Sequence, residues 1–184
     1  MATELMAALE NVLKSNKKVI MMELPADRYL EAGSASVKVL IDLGYRGVYV
    51  SFQRPCSNIS SILSRNGIDT KKLVFIDAAS PLAEEKKTGN CVYISERVEV
   101  DELVRAVYTS LGKLEGKKFI YIDSISTIAL YKPLSETMRL SEFLVSTVRK
   151  ENCTLVFNVA KDLAQKKFVR DIALKADAVI GVAE

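Results

Sequence analysis

Histidine is absent from the 184 residues, which removes Ser-His-Asp and Cys-His catalysis, imidazole bases and His-based metal sites together. What can still do chemistry is carboxylate, guanidinium and amide. Asp77 and Asp123 each end an apolar run, Leu73–Asp77 and Phe119–Asp123. At Asp123 the carboxylate can help hold a divalent cation, or can accept hydrogen bonds in the turn that follows, Ser124 to Thr127. Alone it is a poor Mg²⁺ ligand set, so Asp123 is at most a weak metal candidate. Asn158 and Lys161 stand at the end of another run that begins at Thr154. Gln53 and Arg54 follow a fourth run. Glutamine can orient a water but is a poor base, and arginine cannot accept a proton. Arg28 can pair with phosphate oxygens, or with its neighbours Asp27 and Glu31.

Cys56, Cys91 and Cys153 are odd in number and far apart, with no CxxC spacing. Neither a zinc site nor a redox dithiol is indicated. Free, mostly buried thiols in a reducing, cytoplasmic setting are expected.

These residues need elements to hold them. Val19–Glu23, Gly47–Phe52, Leu73–Asp77, Cys91–Ser95, Phe119–Asp123, Thr154–Val159 and Ala178–Val182 read as strands, most of them apolar on consecutive residues. That pattern suits strands buried on both faces. Between them, helical spacing appears at Leu5, Leu9, Val12 and Leu13, and at Leu30, Val37, Leu40 and Ile41. A short helix bears Ile59, Ile62 and Leu63, with Ser57 or Asn58 as its cap and Gly67 closing it. Further helices are expected around Leu103 to Leu111, Leu134 to Val148 and Asp162 to Lys175. The alternation predicts an α/β fold: a mostly parallel, twisted sheet of about six to seven strands with helices on both faces. Residues 1–16 form an N-terminal helix and residues 17–184 the core of a single domain. The segment Ala78 to Asn90, with Ser80-Pro81 and a polar stretch from Glu84, reads as the one loop-like insertion.

Composition is that of an ordinary globular chain, with 49% hydrophobic and 27% charged residues. The formal net charge is only +3, which makes no strong case for nucleic acid or an anionic membrane. No apolar run approaches the roughly 20 residues of a membrane span. The first residues carry Glu4 and Glu10 and no basic start, so they do not read as a signal peptide.

Four segments in register resemble the RecA/KaiC-like P-loop ATPases, particularly archaeal members. They are Gly44 to Phe52, Leu73 to Ala78, Phe119 to Ser124, which is similar to the Walker B strand, and Ala176 to Ile180. The resemblance covers the chain from about Lys17 onward. It implies a RecA-like fold with Asp123 in the Walker B position and a phosphate loop between the first strand and its helix. That loop needs glycines that aim N–H groups at phosphate, a lysine, and a Ser or Thr for Mg²⁺. Here Leu24 to Glu31 has neither glycine nor lysine. Pro25 removes a donor, and Glu23, Asp27 and Glu31 bring carboxylates where an anion would sit. Gly112 to Lys117 has the wrong spacing and precedes a strand, so it reads as a turn. The paired glutamates that follow the second core strand in KaiC-like relatives are replaced by Gln53 and Arg54.

The expected function is therefore that of a degenerate, non-hydrolysing member, a pseudoenzyme lacking the Walker A motif, with no catalytic residue and no cofactor. It would act on a protein partner or by self-assembly. A second reading is a nucleotide or anion binder at the carboxyl ends of the strands, where Arg28, Gln53, Arg54, Asp123 and Asn158 would converge. A lesser one is nucleic-acid binding through Lys161, Lys166, Lys167, Arg170 and Lys175. Asp162 and Asp171 interrupt that cluster, and Phe168 is its only aromatic residue, so a solvated charged face explains it better. A receiver-like fold, suggested by Asp77, Thr127 and Lys161, is disfavoured because only Glu23, followed by Leu24, ends the first strand.

Overall fold

Short apolar runs that must bury both sides become seven strands: β1 (Val19–Leu24), β2 (Arg46–Ser51), β3 (Leu73–Asp77), β4 (Cys91–Tyr93), β5 (Lys118–Asp123), β6 (Thr154–Ala160) and β7 (Ala178–Gly181). A computed structural model describes residues 2–80, 89–95, 97–163 and 166–181. Of the expected insertion Ala78 to Asn90, residues 81–88 lie outside the described residues, as does Val182. The strands form one sheet in the order β4-β3-β2-β5-β6-β1-β7, and every pairing is parallel.

Among the described residues seven helices flank the sheet, α1 (Ala2–Lys14) before β1 and the others between strands: α2 (Tyr29–Asp42), α3 (Cys56–Arg65), α4 (Val100–Gly112), α5 (Ile125–Tyr131), α6 (Leu134–Glu151) and α7 (Lys167–Ala173). Because side chains alternate along a strand, the sheet divides its apolar residues between two layers. Ile20, Met22, Leu24, Tyr49, Phe75, Phe119, Tyr121 and Val156 join Leu9, Val37, Leu40 and Ile59 of α1 to α3 in one core. Val19, Met21, Val48, Val50, Ile76, Ile120, Ile122 and Phe157 join Leu103, Ile128, Leu144 and Val169 of α4 to α7 in the other. Each fully buried side chain of this size contributes about 1.5–3 kcal/mol. Two cores on one sheet explain why the strands read as continuous apolar runs.

Close packing fixes Gly47 on β2: a Cβ there would lie 2.2 Å from the Phe119 ring on β5. Asn152, in the left-handed conformation at φ 50°, ends α6, a place an asparagine tolerates.

Three local expectations are corrected. Helix α3 is not capped by Ser57 or Asn58; it begins at Cys56 after Pro55, and the Cys56 N–H donates to Oδ2 of Asp77, 2.7 Å away on β3. The turn after Asp123 continues as α5, capped by Ser124 Oγ, which accepts the Thr127 N–H. The last helix is shorter than Asp162 to Lys175, because Lys161–Leu163 is a separate 3-10 turn.

The expectation of three free thiols is also corrected. Cys56 and Cys91 are joined as a disulfide with Cα atoms 6.4 Å apart, and Cys153 is the free, buried one. The parallel pairing of β4 beside β3 and the start of α3 above Asp77 bring the two together across 35 residues of sequence.

Candidate functional site

At the mouth of β1 the backbone turns sharply. The Pro25 carbonyl accepts the Arg28 N–H at 2.9 Å, closing the 3-10 turn Ala26–Arg28 and setting Tyr29 as the first residue of α2. Tyr29 is 5% exposed, and its hydroxyl donates to Ser126 Oγ at 3.3 Å. The same Oγ accepts the Ala160 N–H at 2.7 Å. The phenol thus spans from the start of α2 to α5 and the end of β6. Burial raises the Tyr29 hydroxyl above its ordinary pKa, and the Ser126 and Ser124 hydroxyls offset part of that.

Two more tyrosines lie under α2. Tyr49 on β2 and Tyr121 on β5 stack with ring centroids 5.1 Å apart. Tyr49 donates to Asp123 Oδ2 at 2.9 Å, and Tyr121 donates to Asn158 Oδ1 at 3.0 Å. Gly33 permits this layer, since a Cβ there would sit 3.2 Å from the Tyr121 hydroxyl. Asp123 is only 2% exposed. Its other oxygen, Oδ1, and the Asn158 amide nitrogen are buried with no hydrogen-bond partner. Burial raises the Asp123 carboxyl above its ordinary value, while the Tyr49 hydrogen bond, the Arg54 charge and Asn158 pull it partly back. Burial, and then the Asp123 charge, push the Tyr49 and Tyr121 hydroxyls well up. Both phenols therefore stay protonated donors at neutral pH.

The residues expected at the strand-end rim come together only in part. Asp123 and Asn158 face each other, one step beyond the Ile122–Phe157 pair of β5 and β6. Arg54 is close enough to act on Asp123 through its charge, and its backbone is anchored by Ser51 Oγ, which donates to the Arg54 carbonyl at 2.8 Å. Gln53 turns away, donating from Nε2 to Thr127 Oγ1 at 2.7 Å. Arg28 is occupied by its sequence neighbours: Nη1 lies 3.1 Å from Glu31 and Nε 3.6 Å from Asp27. Asp123 does not cap the following turn; Ser124 does. Among the described residues, no three His, Cys, Asp or Glu side chains gather as a metal set.

Asp77 accepts the N–H groups of Cys56, Ala79 and Ser80 and the Ser80 hydroxyl, so it holds the β3 exit and α3 together. In the basic cluster near α7, Lys175 is held 2.6 Å from Glu142. Tyr29, Tyr49, Tyr121 and Ser126 were not singled out from sequence. The available signal was a tyrosine inside each of two largely apolar strands, since a buried phenol needs a hydroxyl partner.

Beside this layer, at the carboxyl ends of β2, β3 and β5, a cleft of about 400 Å³ is lined by Phe52, Ala79, Val98, Ile128 and Tyr131, with Arg97 and Lys132 on its walls. No helix among the described residues is long and apolar enough to cross a membrane.

No protein-family profile matches the chain, and no curated protein matches it in sequence. Solved structures do. An uncharacterized protein from Pyrococcus horikoshii, crystallised with an unknown peptide, superposes with a TM-score of 0.64 at 17% identity, over 91% of this chain and 78% of that one. A KaiC-like protein from Pyrococcus horikoshii OT3 gives a TM-score of 0.64 at 16% identity, over 92% and 74%. These likenesses, with the seven-stranded parallel sheet, give the chain a RecA/KaiC-like fold.

Proposed function

We propose that the chain is a non-hydrolysing domain of RecA/KaiC-like fold that acts by binding a protein partner. One observation carries the reading: the phenol of Tyr29, at the start of α2, is buried against Ser126 at the mouth of β1. A triphosphate held there would need backbone donors and a cation. The segment Leu24 to Glu31 offers instead a proline, a buried aromatic ring and an arginine already taken by Asp27 and Glu31. The tyrosine layer gives Asp123 a phenol as its partner, so the carboxylate is engaged in holding β5 to β2. Interaction with a protein is supported further by the Pyrococcus horikoshii structure of similar fold, which was crystallised with an unknown peptide.

Phosphate release from Mg·ATP by the purified chain tests this. The expected result is no release above the buffer blank. Release that disappears in Asp123→Asn would refute it. The half-buried guanidinium of Arg54 beside Asp123 favours a second reading, an anion site at the rim. Thermal stabilisation by ADP or polyphosphate that is lost in Arg54→Ser would favour that reading over the first.

A further inference from the structure

We infer that the cleft at the carboxyl ends of β2, β3 and β5 docks an acidic peptide segment of a partner protein, one bearing a large apolar side chain. This rests on the protein-binding reading and names its site and its ligand chemistry. The floor is apolar: Phe52 follows β2, Ala78 and Ala79 follow β3, and Ile128 lies on α5. The two alanines leave the space empty that larger residues would fill. At about 400 Å³ the cleft falls within the roughly 300–1,000 Å³ typical of ligand sites, enough for a buried phenylalanine or leucine.

The walls are basic. Arg97 and Lys132 both line the cleft, and the Lys132 ammonium donates to the Arg97 carbonyl, linking the two walls. Among the described residues neither cation has an ion-pair partner. No described acid lines the cleft, and three of those around it are held elsewhere. Glu102 accepts the Ser95 N–H at 3.0 Å and the Ser95 hydroxyl, Asp101 pairs with Arg139 at 2.5 Å, and Asp77 is held by Cys56, Ala79 and Ser80. Among the described residues the lining therefore carries two positive charges and no negative one, and the complement is an anion.

The surface beyond the cleft is apolar as well. Tyr131 is 79% exposed, and Leu130 and Leu134 beside it are 74% and 50% exposed. Adjacent large apolar residues left in water at the lip of a pocket mark an interaction surface. A segment several residues long, running from the cleft over α5, would cover them, whereas a small anion would leave them wet. The geometry thus favours an extended acidic-apolar peptide, with its apolar side chain in the cleft and its carboxylates on Arg97 and Lys132.

The test is fluorescence anisotropy with the full chain and two labelled octapeptides, one alternating Phe or Leu with Asp or Glu, the other with Lys in place of each acid. The acidic peptide should bind, more weakly as salt rises, and the basic one should not. Arg97→Ser should weaken binding about threefold, and Arg97→Ser with Lys132→Ser about tenfold. Ala79→Trp, which fills the cleft while keeping its backbone hydrogen bond to Asp77, should abolish binding. Circular dichroism melting shows that each variant is folded. Equal binding of both peptides, no binding of the acidic one, or binding untouched by Ala79→Trp overturns the proposal. Phosphate release measured on the same preparation separates the two ideas. Lost peptide binding with inert ATP removes the cleft alone, and ATP turnover removes the non-hydrolysing reading whatever the peptide does.

Discussion

Removing the Tyr49 hydroxyl tests whether Asp123 is an ionised carboxylate sustained by a phenol. Asp123 is 2% exposed, its Oδ2 has Tyr49 as donor, and its Oδ1 has none. Tyr49→Phe strips the carboxylate of the donor at its Oδ2. A hydrogen bond to a charged group is worth about 1.5–3 kcal/mol, against about 0.5–1.5 kcal/mol between neutral groups. Tyr49→Phe should therefore cost about 2 kcal/mol or more at neutral pH, and Tyr121→Phe, whose hydroxyl meets the neutral Asn158 amide, about 1 kcal/mol. The pH dependence has a definite sign. The folded Asp123 carboxyl is raised above its unfolded value, so the folded state binds its proton more tightly. The stability this group contributes is greatest in acid and falls as pH rises from the ordinary carboxylate value through the raised one. The cost of Tyr49→Phe should grow over that same window, because the lost donor matters most to the ionised form. Urea unfolding at acidic and neutral pH, in the wild-type and Asp123→Asn backgrounds, gives the coupling directly. In Asp123→Asn the Tyr49→Phe cost should shrink to that of a neutral pair and lose its pH dependence. Equal costs for Tyr49→Phe and Tyr121→Phe at every pH would refute the reasoning.

Other outcomes follow from the packing and the thiols. Gly47→Ala forces a Cβ into the Phe119 ring, 2.2 Å away, and should destabilise by about 1–3 kcal/mol; an unchanged urea midpoint would contradict it. Unfolded without reductant, the protein should show one titratable thiol, Cys153, and three after reduction; three without reductant would contradict the Cys56–Cys91 pair. Reduction removes a cross-link spanning 35 residues, which loop-closure entropy values at about 3–4 kcal/mol, read as a lowered urea midpoint. Burial raises the Cys153 pKa to about 11, so alkylation of the folded protein near neutral pH should be slow, and rapid labelling would place that thiol at the surface.

The parallel sheet was legible because burial on both faces leaves a direct mark: short runs of consecutive apolar residues such as Phe119 to Ile122, alternating with amphipathic helices, fit strands covered on both sides. Local boundaries were legible where the signal was local, as at Gly67 after α3. They failed where the partner was distant. The cap of α3 comes from Asp77, which is 21 residues away, and the Cys56–Cys91 pair depends on β4 lying beside β3. The phosphate-loop segment could be read as lacking glycine and lysine, but that Tyr29 turns inward depends on Ser126, 97 residues on. The tyrosine layer was missed for the same reason: Tyr49 and Tyr121 meet only through the β2–β5 register. Of the rim residues, chain order could not show that Gln53 would prefer Thr127, nor which of the two roles open to Arg28, phosphate or the acids Asp27 and Glu31, it would take.

Calorimetric titration of the intact protein with Mg·ATP reaches the central claim most directly, because it asks only whether a triphosphate finds a seat. A closed, tyrosine-filled entrance predicts no saturable heat up to about millimolar nucleotide, the weak end of the affinity scale. Saturable binding in the micromolar range, weakened by Asp123→Asn, would contradict it.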